Sequence, residues 1–193
     1  MPMKEWARYG NYLQPHERIA DLGCGPSDIL RFLEDSTKPD FYLGIDTSDR
    51  YLQQAASQAR SKQLDFKFVT LDLNLLAENK SIQLQLIELL EENKITTVNL
   101  FGVVHHLNDE TVIHTMNTVF AASTVMSINT QDVLIIEGHA VNNFYVKLDR
   151  GEYVRKEHEY DELFEKGMWK NINKKWSIAG NRFVKYIHYQ LRK

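Results

Sequence analysis

The feature that most constrains the fold is a glycine turn in residues 18–28 (Arg-Ile-Ala-Asp-Leu-Gly-Cys-Gly-Pro-Ser-Asp). The apolar residues Ile19, Ala20 and Leu22 predict a short buried strand, and Gly23 and Gly25 predict a tight turn directly after it. Pro26 suits the first position of a helix, because a backbone N–H at that position has no hydrogen-bond partner within the helix. A strand, a glycine turn and a helix start present N–H groups and a positive dipole end to a ligand. The segment therefore predicts a site for a nucleotide-like cofactor.

Two familiar phosphate-binding motifs do not fit this turn. The dinucleotide fingerprint places a third glycine at the sixth position, where this chain has Asp28. A P-loop requires Gly-Lys-Ser or Gly-Lys-Thr, and neither follows. Asp21, two positions before Gly23, suits a cofactor that carries a cation and no phosphate. The turn therefore favours a cationic cofactor over NAD or a nucleoside triphosphate.

Three later apolar runs repeat the pattern of a strand that ends in a polar or glycine tip. Residues 41–46 end in Asp46, and an acid at that place accepts hydrogen bonds from ribose hydroxyls. Residues 66–71 lead to Asp72. A helix is predicted after each of the first four strands, and strands that alternate with helices indicate a parallel sheet. The predicted helices run from Pro26 to about Glu34, over 48–62, over 79–93, from a cap at Asp109 to about Thr124, and from Tyr160 to Lys166. The other predicted strands are residues 95–101, residues 132–137, and a closing antiparallel pair formed by Trp169–Ile178 and Phe183–Leu191.

Four segments in this order resemble the class I S-adenosylmethionine-dependent methyltransferases. They are residues 21–25 (Asp-Leu-Gly-Cys-Gly), 44–48 (Gly-Ile-Asp-Thr-Ser), 72–74 (Asp-Leu-Asn) and 103–107 (Val-Val-His-His-Leu). The resemblance implies an α/β fold with a single Rossmann-like, doubly wound sheet of seven strands. That sheet would be mostly parallel with an antiparallel last strand, and helices would cover both faces.

The resemblance also implies the cofactor, S-adenosyl-L-methionine, whose product after transfer is S-adenosyl-L-homocysteine. The glycines of the turn would lie beside its methionine part, Asp46 would hold the ribose, and Asp72 with Leu73 would flank the adenine. Two positions depart from the family pattern. Many members have glycine where this chain has Ser27, and an acid where it has Asn99. The implied cofactor-binding residues are Asp21, Gly23, Cys24, Gly25, Asp46, Thr47, Asp72, Leu73, Phe101 and Gly102.

A chain of 193 residues is expected to form one domain. Within it, residues 18–140 are the predicted cofactor-binding core, and residues 141–193 the substrate-side segment and closing strands. Residues 1–17 are a short N-terminal cover, in which Trp6, Tyr9 and Tyr12 are candidates for a lid. Because this cover is short, we expect a pocket that is either open or closed by a partner subunit in a homodimer.

Two histidines after the fourth strand are the candidates for catalysis. A neutral imidazole at His105 or His106 can take the proton that an oxygen or nitrogen acceptor loses on methylation. In the alternative interpretation one histidine packs beneath the following helix and the other caps it. Methyl transfer itself requires no strong base, because alignment of the nucleophile with the methyl group supplies much of the rate. The sequence predicts no metal site.

Candidate substrate contacts follow the predicted fifth strand. Glu137 and His139 leave that strand at the same sheet edge, and Tyr153 lies in the segment that often covers the acceptor in this family. In the alternative interpretation Glu137 and His139 are solvated loop residues, and Tyr153 serves only to shape the pocket.

Composition limits the partners and the compartment. The formal net charge of −3 implies no general attraction to nucleic acid, although the chain from Lys147 onward is richer in basic than in acidic residues. The single cysteine, Cys24, cannot form an internal disulfide, which fits a reducing compartment. No apolar run approaches the length of a membrane span, and no signal peptide is recognised. We therefore expect a cytoplasmic protein that is not bound to a membrane.

The same sequence excludes several acceptors. Amino-directed nucleobase methyltransferases carry an Asn- or Asp-Pro-Pro-aromatic motif, whereas residues 99–102 are Asn-Leu-Phe-Gly. Enzymes that act on cytosine C5 require a nucleophilic cysteine, and the only cysteine lies in the glycine turn. The predicted function is transfer of a methyl group to an oxygen or nitrogen of a small organic metabolite. Two alternatives stay open: a methyltransferase acting on RNA or protein, and a cofactor-binding protein without transferase activity.

Overall fold

Seven strands form one sheet in the computed structural model, which describes residues 15–149, 151–178 and 183–193. The predicted cover therefore lies almost wholly outside the described residues, as do Trp6, Tyr9 and Tyr12. The strands are β1 (Arg18–Leu22), β2 (Phe41–Asp46), β3 (Phe66–Thr70), β4 (Thr97–Phe101), β5 (Ser127–Val133), β6 (Asn171–Ile178) and β7 (Lys185–Arg192).

The strand order is β3-β2-β1-β4-β5-β7-β6. Strands β1 to β5 pair in parallel, and β7 is antiparallel to both of its neighbours, β5 and β6. The chain leaves β1 in one direction to build β2 and β3, and then returns to add β4 on the other side. A reversal of this kind opens a crevice at the carboxyl ends of β1 and β4, where ligands bind in open α/β sheets. The predicted fold class is confirmed.

Five α-helices accompany the sheet in the described part of the chain. Polar side chains cap three of them: Ser48 accepts the N–H of Tyr51, Asn79 accepts that of Ser81, and Asn108 accepts that of Thr111. The helices are α1 (Asp49–Ser61), α2 (Lys80–Glu92), α3 (Asp109–Ala121), α4 (Ala140–Lys147) and α5 (Glu157–Glu165).

Alternate strand residues enter two separate cores. In β1, Ile19 packs with Tyr42 and with Ala59 of α1 on one face of the sheet. Leu22 and Leu43 face the opposite side, where α2, α3 and α5 contribute buried leucine, valine and aromatic side chains. The period-two alternation of the strands therefore places helices on both faces. No helix within the described ranges has the length and apolarity needed to cross a bilayer.

Two predicted helix starts differ from the structure. The segment after Pro26 forms two short 3₁₀ turns, Asp28–Phe32 and Asp35–Thr37, instead of one helix. Ser27 precedes the first turn with φ of 53°, in the left-handed region, and makes no side-chain cap. The third helix is capped by Asn108, not by Asp109.

The fifth strand also differs, because it begins and ends earlier than predicted. It runs from Ser127 to Val133, whereas the sequence places it at 132–137. Most of its polar residues are buried, and Asn129 is paired with the neighbouring strands: its amide donates to Asn99 Oδ1 at 3.1 Å, and Gln190 donates to Asn129 Oδ1 at 3.2 Å. Such pairing makes a buried polar strand stable, although its sequence lacks an apolar run. The unpredicted helix α4 follows.

Candidate active site

The glycine turn after β1 is tied to the end of β2. The N–H groups of Gly23 and Cys24 both donate to the carbonyl of Ile45, at 2.7 and 3.0 Å. Gly23 has φ of +71°, and a Cβ added there would lie 2.5 Å from Cγ2 of Val103. Glycine is therefore required at this position both for the backbone conformation and for close packing against the segment that follows β4.

Asp46, at the tip of β2, is oriented by two backbone donors. Its Oδ2 accepts the N–H of Gly25 at 2.8 Å, and its Oδ1 accepts the N–H of Ser48 at 2.9 Å. Each carboxylate oxygen has a second acceptor position, so the group can still receive hydroxyl donors from a ligand. A Cβ added at Gly25 would have no neighbour within 4 Å, which shows open space on that side of the turn.

Asp21 belongs to a buried hydrogen-bond network beneath the turn. The Tyr42 hydroxyl donates to Asp21 Oδ2 at 2.5 Å and lies 3.2 Å from the hydroxyl oxygen of Ser27. Burial raises the pKa of Asp21 to about 7; the Tyr42 hydrogen bond opposes this shift and the charge of Asp46 adds to it. A cationic ligand nearby would favour the ionised form of this carboxyl.

The other predicted cofactor residues lie at the same edge of the sheet. Asp72 follows β3, and its side chain accepts the N–H of Asn74 at 2.9 Å, while the side chain of Leu73 packs in the core. Thr47 is exposed after β2. Phe101 ends β4, and Gly102 follows it and donates its N–H to the carbonyl of Gln131 at 2.7 Å. The structure thus places every predicted cofactor-binding residue at or just beyond the carboxyl ends of β1 to β4.

His105 is held between two carboxylates. Its ring Nδ1 lies 2.6 Å from Asp132 Oδ1, which also accepts the backbone N–H of His105 at 3.1 Å. Its Nε2 lies 3.3 Å from Oδ1 of Asp149. Gly151 packs on the ring so closely that a Cβ there would lie 2.0 Å from His105 Cδ2. His105 is only 3% exposed as a result.

These neighbours decide the charge of His105. Burial alone lowers the pKa of the imidazole, but the hydrogen bonds and charges of Asp132 and Asp149 outweigh it and raise that pKa to about 9. This shift favours the protonated form of the ring over the neutral base. His106 is exposed, and its ring centroid lies 4.2 Å from that of His105.

Arg155 fixes the short turn that carries the two histidines. Its guanidinium donates to the carbonyls of Val104 and Leu107, at 3.0 and 2.8 Å, and to Asp109 Oδ1 at 2.7 Å. Because Arg155 is buried and brackets His105 and His106 from both sides, it determines the path of the turn.

The predicted substrate residues are dispersed. Glu137 is exposed and pairs with Lys156 at 2.7 Å, and His139 is an exposed residue at the start of α4. Tyr153 alone joins the histidine turn, since its N–H donates to the carbonyl of His105 at 2.9 Å. It also lines a cavity of about 390 Å³ with Asp109 and with charged residues of α5.

Sequence reasoning missed three members of this site: Asp132, Asp149 and Arg155. Asp132 was predicted at the start of the fifth strand, far from the histidines, because the strand was placed too late in the chain. In the structure it lies near the end of β5, beside the end of β4. An acid within a strand that is otherwise buried was the signal available for it.

The profile of a family described as a methyltransferase domain matches residues 20–124, more than half of the chain. The chain belongs to the class I methyltransferases. The matched region of this methyltransferase contains the glycine turn, Asp46, Asp72 and both histidines. A comparison with curated protein sequences finds no match.

Solved structures agree with this methyltransferase in fold. The YcgJ protein of Bacillus subtilis is 12% identical, with 100% of this chain and 99% of that chain covered and a TM-score of 0.66. The methyltransferase domain of bacterial CtHen1-CN is 13% identical, with 98% and 96% covered and a TM-score of 0.62. The mitomycin 7-O-methyltransferase MmcR is 15% identical over 98% of this chain and 53% of that chain, with a TM-score of 0.65.

Proposed function

We propose that this methyltransferase uses S-adenosyl-L-methionine and transfers its methyl group to an oxygen or nitrogen of a small organic metabolite. The observation that carries the cofactor assignment is the carboxylate of Asp46, which the N–H groups of Gly25 and Ser48 hold at the open crevice. A fixed acceptor at the tip of the second strand is the arrangement that binds the two hydroxyls of a ribose.

The residues around the crevice fit the remaining parts of this cofactor. Open space beside Gly25 leaves room for the methionine part, and Asp21 supplies a carboxyl near it that a cation would ionise. Asp72 lies beyond β3, where the adenine would be flanked. When bound, the cofactor supplies a sulfonium-activated methyl group, and the protein's task is to align the acceptor with it.

The two histidines are proposed to act in the transfer step. They follow the end of β4, beside the glycine turn, because Val103 of the same segment packs where a Gly23 side chain would lie. His106→Ala tests this role without opening the core, because His106 is exposed. We expect its turnover to fall at least tenfold with cofactor affinity unchanged, a rate effect typical of lost acid–base or positioning groups. An unchanged rate would contradict it.

The charge distribution supports a small acceptor. Two lysines of the C-terminal third are paired with acids: Lys156 with Glu137, and Lys174 with Glu157 and Asp161. Lys193 lies at the opposite edge of the sheet, because β7 runs antiparallel to the strands that carry the site, and it donates there to a backbone carbonyl. A nucleic-acid footprint requires basic groups gathered along the binding edge.

RNA is the second candidate acceptor, because two structural neighbours suggest it by name. The small RNA methyltransferase HEN1 is 14% identical over 98% of this chain and 25% of that chain, with a TM-score of 0.67. Sp1610 of Streptococcus pneumoniae, a putative tRNA (m1A22) methyltransferase, is 10% identical over 100% of this chain and 72% of that chain, with a TM-score of 0.61. Identities this low indicate a shared fold, so the acceptor has to be determined by experiment.

Isothermal calorimetry with S-adenosylmethionine, S-adenosylhomocysteine and NAD in parallel tests the cofactor. We expect micromolar binding of the first two ligands and no binding of NAD. If neither S-adenosylmethionine nor S-adenosylhomocysteine binds, the proposal is overturned. Transfer of a labelled methyl group is then measured into three pools: small hydroxyl and amine compounds, total RNA, and protein. Label in the small-compound pool supports the proposed acceptor, whereas label confined to RNA would replace it with the second candidate.

A further inference from the structure

The histidine turn brings together three side chains that can ligate metals. One ring nitrogen from each of His105 and His106 and a carboxylate oxygen of Asp149 all lie within 4.8 Å of one another. Imidazole nitrogens and carboxylate oxygens bind Zn²⁺ at roughly 2.0–2.2 Å. Two such ligands on one ion, at angles from octahedral to tetrahedral, are about 3.0–3.4 Å apart. The separation of 3.3 Å between His105 Nε2 and Asp149 Oδ1 fits that geometry.

A buried carboxylate already orients the first of these ligands. Asp132 Oδ1 lies 2.6 Å from His105 Nδ1, so it fixes the tautomer and directs Nε2 toward Asp149. Ligating histidines almost always donate their second N–H to a carboxylate or carbonyl in this way. The other oxygen of Asp132 is buried and makes no hydrogen bond within the described ranges. A cation nearby stabilises the ionised form of such a buried carboxylate.

We propose that His105, His106 and Asp149 bind one divalent transition-metal ion, with Asp132 as the positioning residue. Two imidazoles and one carboxylate suit Zn²⁺, Mn²⁺, Fe²⁺ or Co²⁺, and three protein ligands leave coordination positions for water or substrate. The site adjoins the cofactor crevice, since a Cβ on Gly102 would lie 3.9 Å from the His105 ring. This assigns the two histidines to ligation, whereas the alternative is a closed hydrogen-bonded group of His105, Asp132 and Asp149.

Metal-stripped protein without a histidine tag is titrated with Co²⁺, whose visible absorption reports its ligands, and separately with Zn²⁺ and Mn²⁺ by calorimetry. We expect one site per chain. His106→Ala and Asp149→Asn should each weaken binding at least tenfold, because each removes one of three ligands at an exposed position. The matched control is His139→Ala, which removes an exposed imidazole outside the cluster and should leave the affinity unchanged.

Asp132→Asn supplies a second readout. It leaves all three ligands in place but weakens the orientation of His105, and changes of this kind cost 10–100-fold in metal affinity. We expect that loss together with an altered Co²⁺ spectrum. Absence of one-site binding in the parent protein would overturn the proposal. Equal affinity in the parent, His106→Ala and Asp149→Asn proteins would do so as well.

Metal binding is measured without cofactor, and cofactor binding without metal, so the two proposals fail separately. If no metal binds while S-adenosylmethionine does, the metal site is rejected and the proposed function stands. If metal binds with the expected variant pattern but S-adenosylmethionine does not, the metal site stands and the cofactor assignment is rejected.

Discussion

The backbone N–H of Gly25 donates to Oδ2 of Asp46 at 2.8 Å, which joins the glycine turn of β1 to the acidic tip of β2. Together with the hydrogen bonds from Gly23 and Cys24 to the Ile45 carbonyl, this hydrogen bond sets the relative position of the two elements that the proposed cofactor would contact. Asp46 also accepts the N–H of Ser48, so its carboxylate has little freedom to rotate. This preorganisation reduces the ordering that binding requires.

Asp46→Ala should therefore weaken binding of S-adenosylmethionine by about 1.5–3 kcal/mol, the range for hydrogen bonds to a charged group. The measurement is calorimetry, accompanied by thermal unfolding to show that the fold persists. Asp65→Ala is the control, because it removes an exposed carboxylate before β3, at the opposite edge of the sheet. Equal affinities of the two variants would remove Asp46 from the site.

The two glycines of the turn should respond differently to alanine. Both have positive φ, which costs an alanine about 1–2 kcal/mol, but only at Gly23 does the new Cβ also meet a side chain, Cγ2 of Val103 at 2.5 Å. We expect Gly23→Ala to lower the free energy of unfolding more than Gly25→Ala. Chemical denaturation of both variants, alone and combined with Val103→Ala, measures this. The second change should relieve part of the loss at Gly23 only; additive losses in both pairs would contradict the steric account.

Local sequence patterns predict most of the strands and helices of this fold. Apolar strands that alternate with capped helices predicted the sheet, and the glycine turn predicted where the cofactor edge begins. The antiparallel β7 came from the family resemblance, since no local pattern determines which strand pairs with which. The fifth strand was placed wrongly because Asn129 and Gln131 are buried, and a sequence does not show that Asn99 lies opposite Asn129.

The sequence predicts a site residue only where its role follows from its own place in the chain. Asp46 is recognisable because it ends an apolar run. The environment of His105 was not recognisable, because its partners Asp132 and Asp149 lie 27 and 44 residues away in the chain. Those contacts depend on the register of β5 and on the segment that folds back over the ring, and together they raise the pKa of the imidazole.

Gly151 is expected to maintain the His105 ring in place. A methyl group there would lie 2.0 Å from His105 Cδ2, and overpacking of this kind typically costs about 1–3 kcal/mol. Gly151→Ala should displace the ring from Asp132 and shift its NMR signals, and should reduce turnover more than cofactor affinity. Gly167→Ala is the matched control, because its Cβ would meet the flexible end of Met116 at 3.2 Å. Unchanged His105 signals in the Gly151 variant would contradict the predicted clash.

The buried Asp21 should make stability depend on pH between about 4 and 7. Its pKa is about 7 in the folded protein against an ordinary value of 3.8, chiefly because of burial, so the folded state retains a proton that the unfolded state has released. Unfolding then releases a proton, and the free energy of unfolding falls as the pH rises, by up to about 1.4 kcal/mol per unit, before levelling above pH 7.

Asp21→Asn removes this titration while keeping an acceptor for Tyr42. Denaturation of both proteins from pH 4 to 8 isolates the contribution as their difference, in which the parent loses stability relative to the variant as the pH rises. Tyr42→Phe should extend the decline to higher pH, because it removes the hydrogen bond that favours the ionised carboxyl. Parallel profiles for the parent and Asp21→Asn proteins would show that Asp21 is ionised in the folded protein throughout this range.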